Sequence, residues 1–297
     1  MHPVSLESFT NKYKVLVEAH LRDAVGTLEA PENLKKSMLY SLEAGGKRIR
    51  PLLLFAAIDA FGKNPEIGVD AAAAIEMVHT YSLIHDDLPS MDDDDLRRGK
   101  LTNHKVFGEA TAILAGDALL TLSFNMLADI PDEYVSDKVK LSLIKGLSKA
   151  AGAIGMVGGQ VADMEGEDKE LSLEQLEYIH INKTGRLLEY SIIAGADIAG
   201  AAAEQKAVLS KFAYHIGLAF QIRDDILDLE GSEELIGKPV GSDTENHKST
   251  YPALLGLAGA KDALETHLQS AKEALAATKL NVAVLAEIAD LIGLRNY

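Results

Sequence analysis

Helical periodicity runs along almost the whole of this chain, and no competing pattern interrupts it. Apolar residues recur three and four apart from about Asn33 to Ala60, at Leu34, Met38 and Leu42 and then at Leu53 and Leu54. A second helix is expected from near Pro65, a residue suited to a first helical turn, through "DAAAAIEMVHTYSLIHDD". Others are expected at roughly Glu109–Ala128, Ser136–Ala150, Ser172–Ala196, Ala203–Leu229, Lys261–Ala277 and Val282–Ile292. "SLEQLEYI" opens one of them with a capping box, Ser172 at the N-cap and Gln175 three residues on. No stretch shows strand alternation or the turn pairs of a hairpin, and there is no fixed-period repeat. Linkers of domain-separating length are also missing. With 297 residues and 47% hydrophobic content, the expectation is one all-α domain spanning residues 1–297.

Charge and composition narrow the function. A net charge of −16 argues against nucleic-acid partners, which need a basic face to displace phosphate counterions. It leaves anionic substrates open, because bound metals and a few local cations can invert the field inside a cleft. The absence of cysteine excludes disulfides and thiolate chemistry. The opening "MHPVSLESFTNKYKVLVEAH" lacks the apolar core of a signal peptide, and stretches such as "RPLLLFAAIDAF" are too short or too charged to span a bilayer. A soluble cytoplasmic protein without a stable membrane anchor is expected.

Two acidic clusters stand out. "LIHDDLPSMD" and "QIRDDILD" each end an apolar helix with an Asp pair and a further Asp one or two turns on. Asp224 and Asp228 are four apart and share a helix face, with Asp225 to the side, and like charges so placed repel. Acidic residues at a helix C-terminus also oppose the macrodipole. Asp86 and Asp92 are six apart and do not share a straight helix face, but Pro89 breaks the helix between them and lets Asp92 fold back. Each cluster reads either as a solvated acidic helix end or as an oxygen-only site for Mg²⁺. "DDDDLRRG" misses the EF-hand pattern, since Leu96 occupies a required Asp/Asn position.

Cations accompany both clusters. In "GGKRIRP", Lys47 and Arg50 are three apart, one helical turn, behind a flexible Gly pair. Arginine offers phosphate a planar fork and lysine a point charge; an ordinary solvated pair is the other reading. Arg97 and Arg98 either balance the aspartates before them or bind an anion. Lys183, Thr184 and Gly185 lie inside a helix where glycine is unfavourable, so Gly185 is there for close approach of a ligand or of another helix. His79, on the apolar "AIEMVHTYSLI" helix, is either a satisfied core residue or a ligand.

Taken together, "GGKRIRP", "LIHDDLPSMDDDDLRRG", "GGQVAD", "KTG", "FQIRDDILD", "GKPVGSD" and "KSTYPALLG" resemble the trans-polyprenyl diphosphate synthases, most closely the bacterial members that stop at fifteen carbons. The resemblance covers nearly the whole chain. It implies an antiparallel helical bundle of the isoprenoid synthase type around a deep central cavity, usually a homodimer. It also implies about three Mg²⁺ ions that help an allylic diphosphate to ionise before isopentenyl diphosphate attacks. By that resemblance Asp86, Asp92 and Asp224 ligate metal, and Asp87, Asp225 and Asp228 do so directly or through water. Arg97, Lys183 and Lys238 hold the allylic diphosphate, with Thr184 and Gln221 lending oxygen dipoles near the cation. Gly46, Lys47, Arg50, His79 and Arg98 hold isopentenyl diphosphate.

Product length is expected to follow the depth of the cavity below the aspartates. Tyr81 lies five residues before Asp86, ~7–8 Å down a helix. A helical wheel places Ser82 closer to the Asp86 face; the resemblance favours Tyr81 as the floor and farnesyl diphosphate as the product. Asn182, Arg186 and the terminal Tyr297 depart from the family pattern. Three alternatives remain: the same chemistry ending at geranylgeranyl diphosphate, a non-catalytic regulatory subunit of a heteromeric synthase, or an acidic scaffold. A terpene cyclase is disfavoured by 5% aromatic content without tryptophan.

Overall fold

Phe9, Tyr13, Val17, Leu21 and Val25 recur every four residues and are all buried, the stripe of an amphipathic helix. This helix, α1 (Leu6–Gly26), is capped by the Ser5 hydroxyl, which accepts from the Ser8 amide. The sequence reading began its helices at Asn33 and missed it, although the four-residue stripe was there to find. The computed structural model describes residues 5–230 and 249–294. Lys238, "GKPVGSD" and Tyr297 therefore lie outside the described residues.

The chain divides into two units: residues 1–55 with 65–144, and residues 56–64 with 145–297. In the first, α2 (Glu32–Leu42) and α3 (Ile49–Ala60, of which residues up to 55 belong here) replace the single helix expected over 33–60. The break is local chemistry: Gly45 and Gly46 adopt φ of 89° and 124°, and Arg48 a φ of 54°, none of them helical. Lys47 therefore sits in a loop and Arg50 in the first turn of α3, not one turn apart on one helix.

A short 3-10 turn, Pro65–Gly68, precedes α4 (Val69–Asp86). Its Ala71–Ala74 run, Ile75, Met77 and Val78 are buried, and α4 packs against α1 and α6. Contrary to expectation there is a hairpin, β1 (Leu96–Arg97) paired antiparallel with β2 (Lys100–Leu101). Arg98 and Gly99 both take positive φ at its tip, the twist that a two-residue turn needs. Arg-Gly is a weak signal beside Asn-Gly, which is why the pattern was silent. After α5 (Asn103–Phe107), α6 (Glu109–Ala128) buries Ala112, Ala115, Gly116 and Leu119. A Cβ on Gly116 would stand 2.2 Å from the His85 ring, so glycine sets how closely α6 approaches α4. By length and composition α6 could also cross a membrane, a property the sequence reading denied to every stretch. Core helices of helical proteins meet the same test.

α7 (Asp137–Ala151) leads from the first unit into the second, which continues with α8 (Met156–Gly166), a helix not anticipated. The helix expected over 172–196 is α9 (Leu173–His180), a π-helical turn (Ile181–Gly185) and α10 (Arg186–Ala199). Ser172 and Gln175 form the capping box that the sequence indicated. α11 (Ala203–Glu230) packs along α12 (Tyr251–Ala276), and α13 (Ala283–Leu294) lies against both. α12 begins ten residues before the expected Lys261, with the Thr250 hydroxyl as cap and a non-helical break at Gly256.

Candidate active site

The first acidic cluster is a folded turn. α4 ends at Asp86, and the Asp92 amide returns to donate to the Asp86 carbonyl at 2.9 Å, as the position of Pro89 suggested. Asp92 through Asp95 face solvent, but Asp87 is buried. The hairpin delivers Arg97 to it: the Asp87 carboxylate accepts from Arg97 Nε at 2.6 Å and from Nη2 at 2.5 Å. Burial pushes the Asp87 carboxyl up, and Arg97 offsets only part of that shift. The run is thus neither simply solvated nor simply a cage: Asp87 is buried and paired, Asp86 is half-buried, and Asp92 through Asp95 are exposed.

Beside this turn the same unit gathers positive charge around His79. Burial, then Arg50, Arg98, Arg97 and Arg48, hold its pKa well below the ordinary imidazole value, so it is neutral at physiological pH. The Gly pair supplies a close approach. Arg98 Nη1 donates to the Gly45 carbonyl, and a Cβ on Gly46 would stand 2.5 Å from the Arg98 guanidinium. Of the residues expected to hold isopentenyl diphosphate, Arg50 and Arg98 are close enough to lower the His79 pKa, and Gly46 lies against Arg98. Sequence reasoning missed Arg48, which is 4% exposed and bonds Glu18, Glu76 and the Leu42 carbonyl. Burial opposes its charge, yet Glu76 and Glu18 outweigh that and raise its pKa. In a string of three cations, nothing local marked this one as the buried member.

Tyr81, buried on α4, meets the His85 ring edge-on at 5.6 Å. Burial and then Asp86 raise its phenol pKa, so the ring is uncharged. Ser82 Oγ donates to the His79 carbonyl at 2.9 Å, so its hydroxyl is turned back onto its own helix.

The second unit builds its cluster on α11. Asp225 and Asp228 are each 5% exposed, and Asp224 and Gln221 are less buried. Asp225 Oδ2 accepts from the Tyr251 amide at 2.9 Å and lies 3.4 Å from His180 Nε2, so this carboxylate is tied to the starts of α12 and of the π-helical turn. That turn carries Lys183 and Thr184. Lys183 Nζ donates to Asp163 on α8 at 2.6 Å. Gly159, one helical turn before Asp163, lets α8 sit backbone-to-backbone on the turn, since a Cβ there would stand 2.2 Å from the Lys183 amide nitrogen. These contacts give "GGQVAD" a role that its sequence did not reveal. Gly217 of α11 is a packing glycine too: a Cβ on it would lie 3.0 Å from the Cα of Gly185. Asn182 bonds the Tyr178 carbonyl and Arg186 pairs with Glu189, so both departures from pattern are internally satisfied.

Among the described residues no three acidic or histidine side chains converge on one point. Mg²⁺ does not require that, because it is held by one or two carboxylates with waters and substrate phosphate. The oxygen-only donors Asp86, Asp87 and Asp92, and Asp224, Asp225 and Asp228, in a chain without cysteine, suit that ion.

The scaffold is of the all-α isoprenoid synthase type, and the polyprenyl synthetase family profile matches residues 31–288. The chain belongs to that family. It is 60% identical over 297 residues to farnesyl diphosphate synthase of Geobacillus stearothermophilus, covering 100% of both chains. With farnesyl diphosphate synthase of Bacillus subtilis (strain 168) the identity is 56% over 292 residues, covering 98% of this chain and 99% of that one. The apo crystal structure of an FPP/GFPP synthase from Zymomonas mobilis superposes with a TM-score of 0.86 at 34% identity, over 97% of this chain and 98% of the other.

Proposed function

We propose that the chain, as one functional domain over residues 1–297, condenses isopentenyl diphosphate head-to-tail with dimethylallyl and then geranyl diphosphate, releasing (2E,6E)-farnesyl diphosphate. The observation that carries this reading is the juxtaposition in one unit of the Asp86–Asp92 turn with arginines clustered on a neutral His79. Full-length identity of 60% to a farnesyl-forming relative supports the product.

Arg50, Lys47 and Arg98 bind the isopentenyl diphosphate, the Gly46 backbone lets it approach, and His79 adds a hydrogen bond without another charge. Asp86, Asp87 and Asp92, and Asp224, Asp225 and Asp228, would hold Mg²⁺, whose charge would offset that of the leaving diphosphate as the allylic C–O bond breaks. Arg97, Lys183 and Lys238 share that charge on the protein side. Thr184 and Gln221 present oxygen dipoles to the allylic cation, where a charged nucleophile would trap it. The isopentenyl double bond attacks, and a proton passes to the departed diphosphate. Apolar helix faces exclude water from the cation. Tyr81, bulky and uncharged, stops the chain at fifteen carbons.

A homodimer is part of this reading, supported by Ile113 and Leu114, which leave 42% and 59% of their surface exposed on the apolar helix α6. Action in the cytoplasm is likewise inferred, from water-soluble substrates and a chain without cysteine.

The test is turnover of radiolabelled isopentenyl diphosphate with dimethylallyl or geranyl diphosphate, in Mg²⁺ or EDTA, with products resolved by length. A Mg²⁺-dependent fifteen-carbon product is expected, and Tyr81→Ala is expected to lengthen it. A twenty-carbon wild-type product would refute Tyr81 as the floor but keep the chemistry. Folded protein without any product would overturn the enzyme reading.

A further inference from the structure

We propose that Arg48 is the positioning residue of the isopentenyl diphosphate site, acting through the Gly45–Lys47 loop without touching substrate. The proposal rests on the function inferred above and extends it to a residue given no role there.

The geometry gives Arg48 three anchors on three elements. Its Nε donates to Glu18 on α1 at 3.2 Å, Nη1 to Glu76 on α4 at 2.6 Å, and Nη2 to the Leu42 carbonyl in the last turn of α2 at 2.5 Å. A planar guanidinium can serve three acceptors in fixed directions, whereas an ammonium is a point charge on a flexible stem. The side chains of Arg48 and Glu76 are 2% and 3% exposed, so neither can exchange its partner for water. Arg48 also holds a φ of 54°, a region that L residues adopt when the surroundings over-determine it. The side-chain contacts are what over-determine it here.

The site hangs on this point. Arg48 closes the loop between α2 and α3, with Lys47 before it and Arg50 two residues on. The Gly45 carbonyl in that loop takes the Arg98 guanidinium, which lies against Gly46. Glu76 is three residues before His79, one turn up the same helix. The Arg48–Glu76 pair therefore fixes the loop backbone relative to His79, and the loop in turn fixes Arg98. A diphosphate bound by groups from a loop, a hairpin and a helix needs that relative placement, because displacements of an ångström weaken convergent polar contacts.

Losing one partner of a buried pair leaves an uncompensated charge, so Arg48→Met alone is expected to destabilise the fold. The decisive variant removes both charges: Arg48→Met with Glu76→Met, alongside Arg48→Lys. For each, thermal stability, KM for isopentenyl diphosphate, KM for geranyl diphosphate and calorimetric affinity for isopentenyl diphosphate without allylic substrate are measured. The double variant is expected to recover most of the stability that Arg48→Met loses. Its KM and Kd for isopentenyl diphosphate should still rise about tenfold or more, with the geranyl diphosphate KM within about twofold. Arg48→Lys is expected to fold and to show the same selective loss, which carries the test if the double variant does not fold. Unchanged isopentenyl diphosphate affinity in either folded variant, or parallel loss of both substrates, would overturn the proposal and leave a purely structural ion pair. Wild-type protein that neither binds nor turns over isopentenyl diphosphate would overturn the functional reading and this proposal with it. Normal wild-type turnover with unaffected variants overturns this proposal alone.

Discussion

Gly46 shows how the lack of one atom admits a neighbouring side chain. Its φ of 124° is open to glycine and strained for anything else, and an added Cβ would stand 2.5–2.9 Å from the Arg98 guanidinium atoms. Gly46→Ala therefore faces backbone strain of about 1–3 kcal/mol as well as displacement of Arg98. The expected outcome is about a tenfold or larger rise in KM for isopentenyl diphosphate, read by steady-state kinetics, with a folded circular-dichroism spectrum. The glycine pair was legible in the sequence as a flexible point, and the family resemblance gave Gly46 a place against substrate. The contact with Arg98 was not legible, because Arg98 is distant in sequence and reaches Gly45 only through a hairpin whose tip carries no strong turn signal. Arg48 makes the same point in reverse: its sequence neighbours look alike, and burial alone sets it apart.

At the level of elements, the π-helical turn at Ile181–Gly185 is held from two sides by glycines, Gly159 of α8 at Lys183 and Gly217 of α11 at Gly185. A methyl at Gly159 would overlap the Lys183 backbone, and overpacking of this kind costs about 1–3 kcal/mol. Gly159→Ala is expected to lower the unfolding midpoint in urea and to reduce kcat, because the turn that carries Lys183 and Thr184 must shift. A variant with wild-type kcat would remove the link between this packing and the reaction. The expected helices over 109–128 and 203–229 match α6 and α11 closely, since a long apolar stripe dominates local preference there. Besides the missed α1, α8 and hairpin, the expected bounds differ from the structure at 33–60, at 172–196 and at the start of α12. At each, positive-φ residues, a π turn or a cap ended or bent a pattern whose periodicity continued.

On the scale of the whole molecule, acid sensitivity has an identifiable source. His215 of α11 and His267 of α12 place their Nδ1 atoms 3.1 Å apart. Burial and then His215 push the His267 pKa down to about 4, while burial and then Lys211 lower that of His215. An unfolded histidine takes up a proton near pH 6.5, and the folded pair resists it. The stability these groups contribute is therefore fully present above about pH 6.5 and is lost as pH falls from there toward about 4. Urea midpoints measured at pH 7 and pH 5 should fall with acidification, and His267→Gln should flatten that dependence. An undiminished slope in the variant would assign the acid sensitivity to the carboxylates instead. By itself, the sequence determined the all-α class, the positions of both Asp clusters, the fold-back of Asp92 and the family, because these depend on periodicity, on the single break at Pro89 and on local motif order. Only the tertiary structure decided which aspartate is buried, which arginine is sealed among carboxylates, why Gly159 must lack a side chain and how Arg98 meets Gly46. Those depend on burial and on contacts between residues far apart in the chain, where the environment, rather than residue type, sets charge, strain and reach.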